Sequence, residues 1–295
     1  MIQFIPAKIN IGLNIVEKRP DGYHNLETVF YPIGRFNGTP AVPYPFGDVL
    51  EITPSKTTDH TFTFTGRTID CPLEKNLVVT ALRLFEKQYN EKYGLEMPKF
   101  DITLDKHIPD GAGIGGGSAD ATYMLRGLNT LCDNPFDLNE LSEMALHLGA
   151  DCPFFLLDEP AYGEGVGEIL TPIKVDLKEK WLLLAKPDIY ISTAEAFREI
   201  LPKHPETSLK ELIQLPIQEW RHHIVNDFEE SLSGRFPEII NLKQMLYNSG
   251  AEYASMSGSG SSVYGIYRNR EEALHALTAI RFCGTPLPFA TLIKL

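Results

Sequence analysis

The sequence has little of what would place it outside ordinary globular enzymes. Its 295 residues hold four cysteines, Cys71, Cys132, Cys152 and Cys283. They are widely spread and form no C-x-x-C pair, which excludes a disulfide framework and a zinc ribbon and fits a reducing compartment. No run of about 18 apolar residues occurs, so no transmembrane helix is expected. The stretch Met1-Ile2-Gln3-Phe4-Ile5-Pro6 lacks a basic region ahead of an apolar one, and Ser and Arg are too scarce for a transit sequence, so a cytoplasmic protein is expected. Positive charge is in deficit. With 27 Lys and Arg against 39 Asp and Glu, the net charge is −12. That argues against broad nucleic-acid binding, because phosphate backbones reward a basic face, but it leaves room for a small anion held by a few local donors. There is no H-E-x-x-H, and the pair His222-His223 in a polar segment reads as a helix surface and not as a metal site. There is no G-x-x-x-x-G-K-[ST], which excludes a P-loop NTPase. Internal repeats and low-complexity tracts are also missing.

What is present is an average globular composition, 43% hydrophobic and 22% charged. The length suggests two domains, and the chain turns glycine-rich and loses periodicity over 162–172, so we place the division at 1–160 and 161–295. The first third reads as strands at 9–16, 26–33, 49–52 and 61–65. Between them, residues 35–47 carry three prolines and two glycines and read as an exposed loop. Helical spacing follows over 76–93, with Val78, Val79, Leu82, Phe85 and Tyr89 on one side. Residues 100–104 alternate as a half-exposed strand. Ala121, Met124, Leu125, Leu128 and Leu131 mark a helix whose start Ser118 can cap, and Asp137 with Glu140 forms a capping-box pair ahead of another helix that Gly149 ends. In the second half, strands are expected at 181–185, 251–256, 263–267 and 289–293. Helices are expected from Ser192 through Ala196, Phe197, Ile200 and Leu201, from Pro237 to Gly250, and over 271–280. Mixed in this way, the elements predict an α+β two-layer sandwich.

The strongest chemical signal is Pro109-Asp110-Gly111-Ala112-Gly113-Ile114-Gly115-Gly116-Gly117-Ser118. Five glycines in seven positions, followed at once by a helix, can aim several backbone N–H groups and the positive helix end at one place, which makes a phosphate cradle. Bulky side chains would block that approach. Gly111-x-Gly113-x-x-Gly116 also satisfies a dinucleotide pattern, with Asp133 downstream. However, the preceding strand alternates, Pro109 and Asp110 interrupt its path into the loop, and no βαβ unit surrounds it, so a dinucleotide oxidoreductase is the poorer reading. Two further segments carry polar groups. In Pro6-Ala7-Lys8-Ile9-Asn10, Lys8 and Asn10 lie on one face of a strand; Asp21-Gly22-Tyr23-His24 follows. Met256-Ser257-Gly258-Ser259-Gly260-Ser261-Ser262 is a small-residue loop between two strands that can close over a polar ligand.

In this order and spacing the three segments resemble the three motifs of the GHMP small-molecule kinases. Leu148-Gly149-Ala150-Asp151-Cys152-Pro153-Phe154-Phe155 is similar to a further signature, found with the Gly-Tyr-His element in members that phosphorylate a cytidine-containing alcohol of isoprenoid-precursor synthesis. The resemblance spans nearly the whole chain. It implies a two-domain GHMP kinase fold: an N-terminal domain like ribosomal protein S5 domain 2, a ferredoxin-like C-terminal domain, and an active site in the cleft. It implies ATP with Mg²⁺ as co-substrate and no prosthetic group. Small molecules would be the only partners, with neither nucleic acid nor membrane, in a monomer or weak homodimer. Asp151 would be the general base and Lys8 its electrostatic partner. Pro109, Gly111, Ala112, Gly113, Ile114, Gly115, Gly116, Gly117 and Ser118 would hold the ATP phosphates, with Ser118 the candidate Mg²⁺ contact. Lys106 and Asn76 would serve the nucleotide base. Asn10, Tyr23, His24, Thr193, Phe197, Gly258, Ser259 and Gly260 would serve the alcohol, with aromatic rings about its cytosine. A different alcohol of the homoserine, sugar or mevalonate type is the alternative. Ala119 stands where the family often has a second Ser, and Thr122 where it usually has Ala.

Overall fold

The computed structural model describes residues 1–34, 46–157, 159–281 and 287–295. Most of the loop expected at 35–47 lies outside these residues, as does Cys283. Two units interleave along the chain. The first comprises Met1–Ala7, Gly34–Asp110 and Gly115–Asp158, and the second Lys8–Ile33, Gly111–Ile114 and Glu159–Leu295. Sequence suggests a single division near 160; the contacts also divide the chain after residues 7, 33, 110 and 114.

The first unit is built on a four-stranded sheet in the order Ile2–Ile5, Asp48–Pro54, Phe100–Lys106, Thr61–Gly66. Neighbours are antiparallel except the last pair, which is parallel. The strand Phe100–Lys106 buries every second residue, as its alternation predicts, and that parity carries Lys106 inward with Phe100, Ile102 and Leu104. The helix Gly116–Leu131 lies on this sheet. Its Gly127 meets the sheet directly, since a Cβ there would stand 2.6 Å from Ile52. The helices Leu77–Tyr93 and Leu138–Leu148 pack against it in turn. Asn76 caps the first of these, accepting from the Val78 N–H. Asp137 and Glu140 form the expected reciprocal capping box on the second.

The second unit holds two four-stranded sheets. One runs in the order Ala7–Lys18, His24–Ile33, Ala161–Glu164, Ile169–Pro172. Its last two strands form a hairpin where the sequence loses its periodicity and suggests only the domain division. Glycine hides it: the Phe30 ring fills the space a Cβ on Gly163 would need, 2.7 Å away. The other sheet is antiparallel throughout, in the order Tyr253–Met256, Val263–Tyr267, Trp181–Lys186, Phe289–Lys294. The helices Asp227–Leu232, Pro237–Asn248 and Arg270–Arg281 cover it through Phe228, Ile239, Leu246, Ala276 and Ile280. The helix expected from Ser192 through Leu201 is only Thr193–Phe197. Ser192 caps it as predicted, but Leu201 is 87% exposed and no apolar partner extends the helix to reach it. His222 and His223 end the helix Ile217–His223, both exposed. No helix among the described residues is long and apolar enough to cross a membrane.

Candidate active site

The glycine-rich segment shows why it must be glycine-rich. Gly111, Gly113 and Gly115 all have left-handed backbones, with φ of 58°, 71° and 72°, which side chains disfavour. Gly113 also has no space for one, because a Cβ would lie 2.1 Å from the Ser257 carbonyl oxygen. The helix begins at Gly116 with Gly115 as its N-cap, and no side chain caps it. Ser118 is therefore the third helical residue and not the cap expected from sequence. Among the described residues no side chain caps the first-turn N–H groups, which is what an anion site at a helix N-terminus offers.

In the second unit, residues 111–114 rest on the small-residue loop 257–262. The Ser257 hydroxyl donates to the Gly113 carbonyl at 2.8 Å and accepts from the Asn10 N–H at 3.2 Å. The Ser262 N–H donates to the Ala112 carbonyl at 3.2 Å. Gly258 packs on the same segment, where a Cβ would meet the Gly113 carbonyl oxygen at 3.0 Å and Asn10 Oδ1 at 3.4 Å. Gly260 packs on Met256, and Ser259 is partly exposed. The third motif thus serves first as a bed for the loop. Asn226 holds that bed, donating from Nδ2 to the Met256 and Gly258 carbonyls at 3.0 and 2.9 Å.

Lys8 enters the same arrangement through its backbone, with its N–H on the Ile114 carbonyl at 3.0 Å. The strand Ala7–Lys18 is buried without a break through Ile15, so its polar side chains must be paired. Lys8 Nζ donates to Asn10 Oδ1 at 2.7 Å, and Asn10 Nδ2 donates to the Thr28 hydroxyl at 2.9 Å. Thr28 in turn donates to the Gly12 carbonyl at 2.6 Å. The shared face expected of Lys8 and Asn10 is real, and the chain of donors fixes which way the Asn10 amide points.

Asp151 belongs to the first unit, in the turn between Leu138–Leu148 and Phe154–Leu157, and is half-buried. That turn is fastened to the loop helix. The Thr122 hydroxyl donates to the Cys152 carbonyl at 2.9 Å, and a Cβ on Gly149 would lie 3.9 Å from the Ser118 hydroxyl. Thr122, which departs from the family pattern, has this tether as its local role. Burial pushes the Cys152 thiol up to about 11, so it stays protonated at neutral pH.

The remaining expected residues fall in two places. Asn76 lines a cavity of about 390 Å³ in the first unit, walled by Phe64, Ile69 and Leu73, with Arg67 and Thr68 adding polar groups. Apolar walls with a few polar groups suit a flat heteroaromatic base. Lys106 is only 2% exposed and donates to Asp48 and Asp120 at 2.5 and 2.6 Å. In the second unit His24 and Phe197 stack at 4.8 Å with a 19° tilt, and Phe228 meets Phe197 edge-on from behind. Burial, reinforced by the Lys18 charge, lowers the His24 pKa below the ordinary imidazole value, so the ring is neutral at pH 7. Tyr23 is 65% exposed beside it, and Thr193 is exposed at the start of the Phe197 helix. Sequence reasoning missed Thr28, Asp48, Asp120 and Asn226, and gave Ser257 no separate role within its loop. Two signals were available: an inward-facing lysine demands an acid, and Asn226-Asp227 before Phe228 reads as a helix cap.

Comparison with known proteins shows the family. The family model for the GHMP kinases N terminal domain matches residues 76–159, and that for the GHMP kinases C terminal matches 208–284. A protein of Parabacteroides distasonis named 4-diphosphocytidyl-2-C-methyl-D-erythritol kinase is 49% identical, covering 90% of this chain and 92% of its own. One of the same name from Bacteroides thetaiotaomicron is 47% identical with the same coverage. Among solved structures, a 4-(cytidine 5'-diphospho)-2C-methyl-D-erythritol kinase aligns over 100% of both chains with a TM-score of 0.78 and 29% identity. A homoserine kinase from Cytophaga hutchinsonii shares the fold, with a TM-score of 0.70 and 18% identity over 100% of this chain and 94% of its own.

Proposed function

The chain belongs to the GHMP kinase family, phosphotransferases that act on alcohols, and on that premise we propose that it transfers the γ-phosphate of ATP to the 2-hydroxyl of 4-diphosphocytidyl-2-C-methyl-D-erythritol. The observation that carries the substrate is the similarity, over 90% of this chain, to a relative of that name. The second unit adds a physical reason, a neutral His24 against Phe197. A cytosine ring can enter between His24 and Phe197 when the two rings separate to about 7 Å, two stacking distances.

Each residue has a task in this reading. The helix N-terminus and the glycine N–H groups hold the ATP phosphates, and phosphoryl transfer asks for little more than positioning and charge stabilisation. Asp151 orients the alcohol and takes its proton as the oxygen bonds to the γ-phosphorus and the bond to ADP breaks. Lys8, fixed by Asn10, supplies positive charge to the transferring group. Magnesium arrives with ATP, whose phosphates supply most of its ligands; the hard oxygen of Ser118 suits a further contact. The 390 Å³ cavity with Asn76 takes the adenine. We place the reaction in the cytoplasm.

The deciding assay is ADP release with MgATP and 4-diphosphocytidyl-2-C-methyl-D-erythritol, beside galactose, homoserine and mevalonate. Turnover with the cytidine substrate alone is expected. Faster turnover with another alcohol would discard the cytosine pocket and keep the phosphate loop.

A further inference from the structure

Lys106 occupies an inward position on a strand whose other inward residues are Phe100, Ile102 and Leu104. A lysine there is costly unless paired. Its ammonium sits between two carboxylates, Asp48 at 2.5 Å and Asp120 at 2.6 Å, all three 3% exposed or less. Asp48 does more than balance charge. Its Oδ1 accepts the N–H groups of His107 and Ile108 at 2.5 and 2.8 Å, the last two N–H groups before Pro109 opens the glycine-rich segment. Asp120 lies in the second turn of the helix that the segment leads into. The two ends also touch, since a Cβ on Gly116 would lie 2.7 Å from Ile108 and 3.3 Å from Lys106 Nζ. One buried cluster therefore holds the strand end, the entry to the loop and the first turns of the helix.

The charges do not balance, with two carboxylates facing one ammonium. Asp120 Oδ1 is buried with no hydrogen-bond partner among the described residues. Burial raises the pKa of Asp120 well above the usual carboxylate value, more than Lys106 can offset, and Asp48 adds to the rise. Burial alone would lower the Lys106 pKa, but Asp120 and Asp48 hold it above the ordinary lysine value. A proton on Asp120 removes the excess charge and leaves a Lys106–Asp48 ion pair with a neutral third member.

We propose that Asp48, Lys106 and Asp120 are positioning residues for the phosphoryl donor: they pin the entry and exit of the glycine-rich loop and so set where its N–H groups point. Lys106 then serves ATP through the loop and not by touching the nucleotide. This inference rests on reading the loop as the phosphate cradle.

The test compares steady-state KM for ATP, KM for the cytidine alcohol, kcat and melting temperature in wild type and three variants. Asp48→Asn keeps the size and an acceptor but removes the charge that holds two N–H groups and an ammonium. A loop displaced by about 1 Å costs on the order of a hundredfold in productive binding or rate. Asp48→Asn is therefore expected to raise KM for ATP at least tenfold, with KM for the alcohol within twofold of wild type. Asp120→Leu is expected to do the same, and Asp120→Asn, which accepts from Lys106 and is neutral, to recover most of that loss. If Asp48→Asn does not fold, the Asp120 pair decides alone. An Asp48→Asn protein with unchanged KM for ATP, an Asp120→Asn no better than Asp120→Leu, or equal rises in both KM values would overturn the inference. Gly113→Val separates it from the reading beneath: unchanged ATP affinity in that variant would mean that the loop is not the phosphate cradle at all.

Discussion

Gly117 offers the cleanest separation of fold from ligand. The other loop glycines have reasons within the protein to lack a side chain, either left-handed backbone or a neighbour in the way. Gly117 has neither. It is the second residue of the helix Gly116–Leu131, it is exposed, and a Cβ would meet only Leu77 Cδ1 at 3.4 Å, an ordinary contact. Ala is the better helix former by about 1 kcal/mol in a helix interior and less in a first turn. Gly117→Ala should therefore stabilise the fold by roughly 0.5 kcal/mol and raise the melting temperature by about 1–2 °C. A phosphate drawn against the 117 N–H leaves no room for a methyl group, so the same variant should raise KM for ATP about tenfold, or about 1.4 kcal/mol. KM for the alcohol should hardly change. Calorimetry and ADP-release kinetics on one preparation give both numbers. A more stable protein with unaltered KM for ATP would place the phosphates away from this turn. A less stable protein would refute the steric reasoning itself.

Three other outcomes are expected. Asp151→Asn should bind both substrates and lose about a hundredfold or more in kcat, the usual range for removing a general base; near-normal turnover would remove Asp151 from that role. Phe197→Ala should weaken the cytidine alcohol about tenfold through lost stacking and leave ATP binding alone, as read by titration calorimetry; equal weakening of both would indicate a packing defect, since Phe197 also rests on Phe228. Asn226→Ala strands two buried carbonyls and the Phe228 N–H. It should cost about 2–4 kcal/mol in denaturant unfolding and weaken ATP binding through Ser257; a loss below about 1 kcal/mol would mean that the 257–262 loop holds its shape without Asn226.

Local rules carried much of the molecule. Alternation over 100–104 gave the buried face, Asp137 with Glu140 gave the capping box, and five glycines ahead of a periodic helix gave the loop. Two-residue spacing placed Lys8 with Asn10. Each rests on neighbours within four residues, so the sequence contains the whole interaction. The errors have the opposite character. The hairpin of Ala161–Glu164 and Ile169–Pro172 was hidden because Gly163 answers to Phe30. Thr193–Phe197 stops early because nothing distant packs on Leu201. Ser118 suggested a cap, but the left-handed Gly115 starts the helix one turn sooner.

By itself, then, the sequence determined most of the longer strands and helices, that the 109–118 stretch is a glycine-rich turn into a helix, and which strand face holds Lys8 and Asn10. Only the tertiary structure decided what each polar group pairs with: Lys106 with an aspartate 58 residues away, Ser257 with Gly113 across 144, Asn226 with the 257–262 loop. A backbone period is a property of consecutive residues, whereas a buried charge or amide takes whichever partner chain closure brings within reach, and no local pattern records that choice.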